Sequence, residues 1–492
     1  MTRSCTIAIL AVLVLLCPWA SGRDVYVDKT YAGTGSDGTE AKPYKTIQAG
    51  IDAASPSDTV RVKPGTYSES VTLRNTINVI GQNRDTVVIN PNLARGVSAT
   101  GLTSMLFKSI TVTYAYATAG AGMRIESSTM TIEDCTIYNC SAADGGGIYA
   151  LTSNLTMRNC IISGNRATTA GAGIATNTSS LTMENCAVIN NESQSSGAGL
   201  FINNNSNAII DKCSITGNDA YYYDGGGIYW KSSTGALRRS LVYQNVAGRD
   251  GAGILLDVAA PKLTRNVISY NYAYGMGGGA LLYYSAAPMY NCLFDHNTAV
   301  GPGGAVVCQV SSPTFYNCTV VSNTSNYYST GGLMTSGTCT PTALNCIVWG
   351  NGDDLSTAVS ATYCQIEDTD AGYENAYTNP LFRNTATGDY TLLPASPCIG
   401  TGHPSSIYNN RDGTRNTRGF TGGPYARVLE DIDDNGVVNI LDLITVRNNL
   451  NKDPSSGAEA GCDVNRDGKI NVLDLIAIRN KLNVGNGLPM WP

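Results

Sequence analysis

Cys186-Ala-Val-Ile-Asn-Asn191, followed 27 residues later by Cys213-Ser-Ile-Thr-Gly-Asn218, decides the fold of this 492-residue chain. The same pattern, a small residue, an apolar stretch and a closing Asn, returns at Cys160 to Asn165, Ser240 to Asn245 and Asn266 to Asn271. It returns again at Cys292 to Asn297, Cys318 to Asn323 and Cys346 to Asn351, with Cys135 to Cys140 as an imperfect first copy. From Cys135 onward, successive starts lie 25, 26, 27, 27, 26, 26, 26 and 28 residues apart. A fixed period of this size marks stacked structural repeats rather than one enlarging core.

A second marker keeps step. Gly-rich turns leading into apolar residues stand at Gly145-Gly-Gly-Ile148, Gly171-Ala-Gly-Ile174, Gly197-Ala-Gly-Leu200, Gly225-Gly-Gly-Ile228, Gly251-Ala-Gly-Ile254, Gly277-Gly-Gly-Ala280 and Gly303-Gly-Ala-Val306. A third apolar run, such as Leu155-Thr-Met157 or Leu181-Thr-Met183, precedes each unit. Each repeat therefore holds three strand-sized segments and no amphipathic helix. Strands so arranged can pair only with the coils above and below, which predicts an all-β parallel β-helix solenoid with coils about 4.8 Å apart. Like residues then stack: a column of small inward thiols and a column of Asn amides bonding from coil to coil. Ser240 and Asn266 fill the cysteine slot without needing a partner, so mostly free, buried thiols are expected. A catalytic or metal role for these cysteines is disfavoured.

Composition agrees. Only 14% of residues are charged, while Gly reaches 53 and Tyr 28, a balance suited to strands and tight turns. The net charge is −6 and no long basic run occurs, which argues against nucleic acid as a partner. Arg3, the apolar Ile7 to Leu16 and the small residues Ala20-Ser21-Gly22 read as an export signal over 1–22. No later run approaches about 18 apolar residues, so no transmembrane segment is expected. Removing Cys5 and Cys17 with the signal leaves 15 − 2 = 13 cysteines, an odd number.

Open ends of a solenoid need covers. Tyr44 to Ala54 has helical apolar spacing and precedes a first strand and turn, Asp58-Thr-Val-Arg-Val-Lys-Pro-Gly-Thr-Tyr67, so an N-terminal helical cap is predicted there. This opening resembles that of the pectin-lyase-like superfamily, and the resemblance, over roughly residues 24 to 365, implies a right-handed parallel β-helix. Beyond it, Asn379-Pro-Leu-Phe382, Gly388-Asp-Tyr-Thr-Leu392 and Ser396-Pro-Cys-Ile-Gly400 are similar to the closing coil of exported β-helix proteins, with Gly400 where an Asp usually stands. Residues Asn409 to Pro424 read as a linker. The expected organisation is a signal over 1–22, a β-helix over 23–365, a terminal coil and linker over 366–424, and a small α-helical module over 425–484.

That module carries two matched loops, Asp431-Ile-Asp-Asp-Asn-Gly-Val-Val-Asn-Ile-Leu-Asp442 and Asp463-Val-Asn-Arg-Asp-Gly-Lys-Ile-Asn-Val-Leu-Asp474, 32 residues apart. Oxygen side chains fall at loop positions 1, 3, 5, 9 and 12 and glycine at 6, the pattern that converges hard donors on Ca2+. Two calcium sites are expected. The first uses Asp431, Asp433, Asn435, the Val437 carbonyl, Asn439 (directly or through water) and Asp442. The second uses Asp463, Asn465, Asp467, the Lys469 carbonyl, Asn471 and Asp474. Each loop runs into one helix, and Gly422-Gly-Pro-Tyr-Ala-Arg cannot supply an entering helix. A duplicated loop-plus-helix resembles a type I dockerin, which implies a cohesin-like docking partner. The family's usual Ser-Thr recognition pair is replaced here by Ile440-Leu441 and Val472-Leu473, which could equally pack against the other helix.

Fold alone does not choose an activity among lyases, hydrolases, esterases, epimerases and adhesins. Neither Asn-Thr-Asp nor Gly-His-Gly, the polygalacturonase signature, occurs. Phe294-Asp-His296 resembles the Asp-His pair of pectate lyases without the accompanying Arg-x-Pro-x-x-Arg, and His296 reads as a solvent-facing turn residue. Asp224 and Asp250 precede glycine turns on adjacent coils and are the candidate catalytic carboxylates, against the plainer reading that Asp before Gly caps a turn. Lys212, Arg239 and Arg265 form a basic column suited to acidic sugar groups. Tyr223, Tyr229, Trp230 and Tyr272, with their aromatic neighbours, are the candidate polysaccharide-binding residues. The expected function is an exported carbohydrate-active or carbohydrate-binding β-helix, leaning to a polysaccharide lyase or glycoside hydrolase. The alternative is a non-catalytic surface or adhesion protein.

Overall fold

The computed structural model describes residues 22–482, apart from 327–329, 371, 429, 434–437, 453–461 and 465–468. The export-signal reading lies outside the described residues but for Gly22. Parallel strands stack in four sheets of 15, 13, 11 and 8 strands, each strand hydrogen-bonded to the equivalent strand one coil away. The sequence shows three of these sheets. The fourth consists of stretches of two to five residues, from Ser141–Asp144 to Thr324–Ser325, too short to stand out as apolar runs.

Strand alternation sorts the side chains. Phe107, Ile132, Met157, Met183, Ile210, Leu237, Leu263, Met289 and Phe315 form one inward column along the 15-stranded sheet. Ile137, Ile162, Val188, Ile215, Val242, Ile268, Phe294 and Val320 form another along the 13-stranded sheet. The 8-stranded sheet stacks small residues in one column: Ala142, Ala167, Ser193, Ala220, Ala247, Ala273, Ala299 and Ser325.

The corners are held by polar ladders. Asn165, Asn191, Asn218, Asn245, Asn271, Asn297, Asn323 and Asn351 are all buried, and each amide nitrogen donates to the next Asn Oδ1 at 2.9–3.0 Å. From Asn191 onward each Oδ1 also accepts a backbone N–H from the preceding ladder Asn, and Asn165 Oδ1 accepts from Cys140 N. The column ends on the Asp354 carboxylate, which takes both bonds from Asn351. Glycine is required opposite the ladder: a Cβ on Gly227 would sit 2.6 Å from Gly253 O and 3.0 Å from the Asn245 amide. The cysteine column is also present, and all 13 described cysteines are buried and none is joined in a disulfide. A serine ladder, Ser128 to Ser153 to Ser179 to Ser206, was not anticipated; each hydroxyl accepts the preceding serine's N–H at 3.0–3.1 Å.

The predicted cap is α1 (Ile47–Ala53), N-capped by Thr46, which seals the first coil with Ile47 and Ile51. At the other end, solenoid pairing continues to Gly372–Tyr373. The stretch 409–424 is no free linker. Arg418 is 5% exposed and donates to Cys364 O and the Gln365 amide oxygen, while Asn416 and Asn317 exchange side-chain bonds. Turn-forming composition misled here because these Gly and Asn residues fold back onto the solenoid. The hairpin Phe382–Asn384 with Asp389–Leu392, and Phe420, cover Val267, Leu293 and Val321 on the outer face of the 13-stranded sheet.

Candidate functional site

Asp224 and Asp250 do lie one coil apart, as the period requires: Gly225 N donates to Asp250 O at 3.0 Å. Their carboxylates serve the turns. Asp224 accepts from Arg249 through Nε (3.1 Å) and Nη2 (2.9 Å) and from Asp250 N (3.2 Å). Asp250 Oδ1 accepts from Met276 N at 2.7 Å. Burial raises the Asp224 pKa, and the Arg249 guanidinium partly offsets this. Each Asp thus caps the turn of the next coil, and the plainer reading accounts for these contacts.

The aromatic residues divide between the two faces of the strand Ile228–Lys231. Trp230 is fully buried in the lumen between Ile202 and Leu256, so it forms no part of an outer strip. Consecutive strand residues point oppositely, and pairing Trp230 with Tyr229 overlooked that alternation. Tyr229 does face outward, but only 8% of it is exposed. It lies in an outer apolar column with Phe201, Leu255 and Leu281, and its hydroxyl donates to Asp257 Oδ2 at 2.9 Å. Tyr223 is open to solvent, with the Arg249 guanidinium 5.4 Å from its ring centre. Tyr272 is half-buried and meets the exposed Tyr274 edge-on. Tyr223, Arg249, Asp224, Tyr229 and Asp257 therefore form one outer cluster, of which Arg249 and Asp257 were missed in the sequence. Arg249 stands next to Asp250, and its chain position was the available signal.

The basic column occupies a different corner. Lys212, Arg239 and Arg265 take φ of 52°, 47° and 57°, where other coils use Asn159, Asn185 or Asn291. Arg239 pairs with Asp211, and Lys212 Nζ donates to Asp433 O at 2.6 Å. Arg239 and Arg265 line a cleft of about 730 Å³, together with Arg383, Arg411, Arg427 and Lys481.

In the C-terminal module α2 (Ile440–Asn448) and α3 (Val472–Lys481) pack through Val438, Val446, Ile470 and Ile478. Carboxylate oxygens of Asp431, Asp433 and Asp442 lie within 4.8 Å of one another, with Asp431 and Asp442 buried. Three convergent carboxylates repel unless a cation sits among them, so the donor set fits calcium. Asp442 also braces the loop, accepting from Ile432 N, Asp433 N and Asn439 N. Asp474 does the same for Val464 N and Asn471 N. Asn439 and Asn471 act as helix N-caps, accepting from Leu441 N and Leu473 N. Asp463 is half-buried and Lys469 exposed. Asn435, Val437, Asn465 and Asp467 lie outside the described residues. Ile440, Leu441, Val472 and Leu473 are 57%, 57%, 61% and 52% exposed, so neither pair packs into the interhelical core.

A family model described as the right handed beta helix region matches residues 75–236, 170–324 and 222–411, which together span more than half of the chain. The chain belongs to the right-handed β-helix proteins. Within that class it is a β-helix protein with a C-terminal type I dockerin, whose model matches residues 429–483. A further family model, described as a protein of unknown function (DUF1565), matches residues 31–83. No curated protein matches the chain. Among solved structures it is similar to the pectate lyase Pel9A (14% identity, 82% of this chain and 96% of that one, TM-score 0.38). It is also similar to the A-module of the mannuronan C-5 epimerase AlgE4 of Azotobacter vinelandii (15%, 71% and 96%, 0.37). The pectin methylesterase PemA of Erwinia chrysanthemi is more distant (13%, 51% and 80%, 0.31). Likenesses this loose decide nothing about activity. Type I dockerin domains bind calcium and imply a cohesin partner. No helix among the described residues is long and apolar enough to cross a membrane.

Proposed function

We propose that the protein is an exported component of a polysaccharide-degrading assembly. Its dockerin holds two calcium ions and fastens the chain to a cohesin-like partner, while the outer surface of the solenoid engages a polysaccharide. The observation that carries this is the covalent union of a dockerin with a rigid solenoid presenting Tyr223, Tyr274 and Arg249, which is held by the buried Asp224, to solvent. Exposed aromatic faces and fixed charged pairs suit sugar rings and hydroxyls. A binding role is better supported than catalysis at Asp224 and Asp250, because those carboxylates are spent on turn bonds. Hydrolysis or elimination by the pair remains the enzymatic form of the proposal.

Calcium removal provides the test. With chelator, capture by cohesins should be lost together with the helical signal of α2 and α3, while the solenoid keeps its β signature and its retention on glycan gels. Cohesin capture undiminished by chelator would refute the docking half. Absence of retention on every pectin, alginate, xylan and sulfated glycan tried would refute the other.

A further inference from the structure

One corner of the solenoid breaks its own rule. Four residues after each ladder start the chain turns through the left-handed region, and most repeats place a small or non-aromatic polar residue there: Asn139, Gly164, Asn190, Gly217, Gln244, Ser322 and Gly350. Two adjacent repeats, those starting at Asn266 and Cys292, instead carry Tyr270 (φ 56°) and His296 (φ 50°), and the coil before the first repeat carries Tyr114 (φ 52°). A bulky aromatic residue in this conformation is strained, and strain retained on adjacent coils points to a use.

The two rings stack, with centroids 4.7 Å apart and planes inclined by 2°, and Tyr243 meets Tyr270 edge-on at 5.6 Å. Tyr270 is nevertheless 47% exposed, so aromatic carbon stays available at the surface. Beside it a pocket of about 490 Å³ opens between the 13-stranded sheet and the terminal hairpin. Tyr270, Ser269 and Asp295 form its floor and Asp389, Tyr390 and Phe420 its far side. Asp295 points outward yet is 4% exposed. Its Oδ2 lies 3.2 Å from His296 Nδ1, and the Tyr390 hydroxyl lies 3.3 Å from the same nitrogen. Burial raises the Asp295 pKa, and the His296 contact opposes it.

We propose that this pocket is a second carbohydrate site, which takes a neutral pyranose against Tyr270 and bonds its hydroxyls through Asp295 and Asp389. Aromatic carbon matches the C–H face of a pyranose, and carboxylate oxygens accept from sugar hydroxyls. Charge selects the sugar class. The pocket is lined by two carboxylates and by no Lys or Arg; Arg383, from the adjoining cleft, lies 3.9 Å from Asp389 and leaves Asp295 as the carboxylate without a Lys or Arg partner, so a uronate or sulfated ring would meet repulsion there. The strained corner is the cost of presenting Tyr270 and His296 to that ring. The proposal rests on the polysaccharide-binding reading but concerns a different surface from Tyr223.

Calorimetric titration of the full chain with xylohexaose, cellohexaose, mannohexaose and trigalacturonate tests it. Binding of at least one neutral oligosaccharide, and none or far weaker binding of trigalacturonate, is expected. Tyr270→Asn should lower that affinity about tenfold. Because Asn occupies the same corner at positions 139 and 190, the variant should melt no lower than the native chain. A merely structural Tyr270 would show the reverse, a lower melting temperature with unchanged binding, and that result overturns the proposal. So does preferential binding of trigalacturonate, or failure of every neutral oligosaccharide to bind. His296→Asn should weaken binding in the same direction, and full affinity in both variants overturns the proposal. If Tyr223→Ala abolishes retention on polysaccharide gels while Tyr270→Asn changes nothing, this site is refuted and the wider carbohydrate reading stands. If no glycan is retained at all, both fall.

Discussion

Replacing Asn245 by Ala should be among the most damaging single changes in the chain. Asn245 lies in mid-ladder and is fully buried. Its Oδ1 accepts from Asn218 N (3.0 Å) and Asn218 Nδ2 (2.9 Å), and its Nδ2 donates to Ile215 O (2.9 Å) and Asn271 Oδ1 (3.0 Å). Truncation strips two buried donors on Asn218 of their acceptor. At ~1–3 kcal/mol for each orphaned group, the loss is ~2–6 kcal/mol, before any penalty for the cavity. The first ladder residue supplies an internal control. Asn165 Oδ1 receives only Cys140 N from the coil before it, so Asn165→Ala orphans one donor and should cost about half as much. Urea unfolding followed by far-ultraviolet circular dichroism gives the comparison, and amide exchange at Asn218 localises it. Exchange at Asn218 should accelerate in Asn245→Ala and stay slow in Asn165→Ala. A loss below ~1 kcal/mol for Asn245→Ala, or equal losses for the two variants, would show that the ladder is filler rather than a load shared from coil to coil.

Asp354 should give the last coils a pH dependence. Burial pushes its carboxyl up to about 6 against the bonds from Asn351 and the Glu367 N–H. The folded state therefore holds a proton that the unfolded state releases, and this contribution is full below pH ~4 and lost as pH rises through 6. The stability of the native chain relative to Asp354→Asn should fall by ~2 kcal/mol between pH 4 and 7 in matched urea titrations, and a difference that is flat or rises with pH refutes this. The lumenal Trp230 and the outer Tyr223 should separate cleanly. Trp230→Ala should destabilise by ~3–5 kcal/mol and leave glycan retention per folded molecule unchanged, whereas Tyr223→Ala should stay within ~0.5 kcal/mol and weaken retention on affinity gels. The opposite pattern would place the contact surface elsewhere.

The fold was legible because a solenoid writes one coil's geometry into the sequence many times. The Cys slot, the Asn slot and the glycine opposite it are each dictated by a corner that repeats, so a single copy would have said little and nine copies said nearly everything. The fourth sheet escaped because two-residue strands such as Val246–Ala247 have no periodicity to detect. The serine ladder escaped because Ser is equally common in turns. Residues 409–424 were misjudged because Gly, Asn and Arg describe a turn-rich chain whether it floats or packs, and only the contacts of Arg418 and Asn416 tell the two apart.

Sites are harder to read than folds for a related reason. Stacking makes neighbours of residues one period apart, and that part of the reasoning placed Asp224 beside Asp250 correctly. What repetition cannot supply is the side of the wall. Tyr229 and Trp230 differ by one residue and by the full thickness of the sheet. The more informative positions are those where the repeat is violated at a cost, because selection for folding alone would restore the common residue. Lys212, Arg239 and Arg265 stand where Asn fits better, and Tyr270 and His296 where Gly or Asn fits better. Both departures flank the face covered by the terminal hairpin and the residues around Phe420, and their two cavities share Val267, Thr391 and Phe420. A scaffold that keeps strained residues on one face, and caps its turns with Asp224 and Asp250 on another, directs attention to the strained face as the place where the chain meets its ligand.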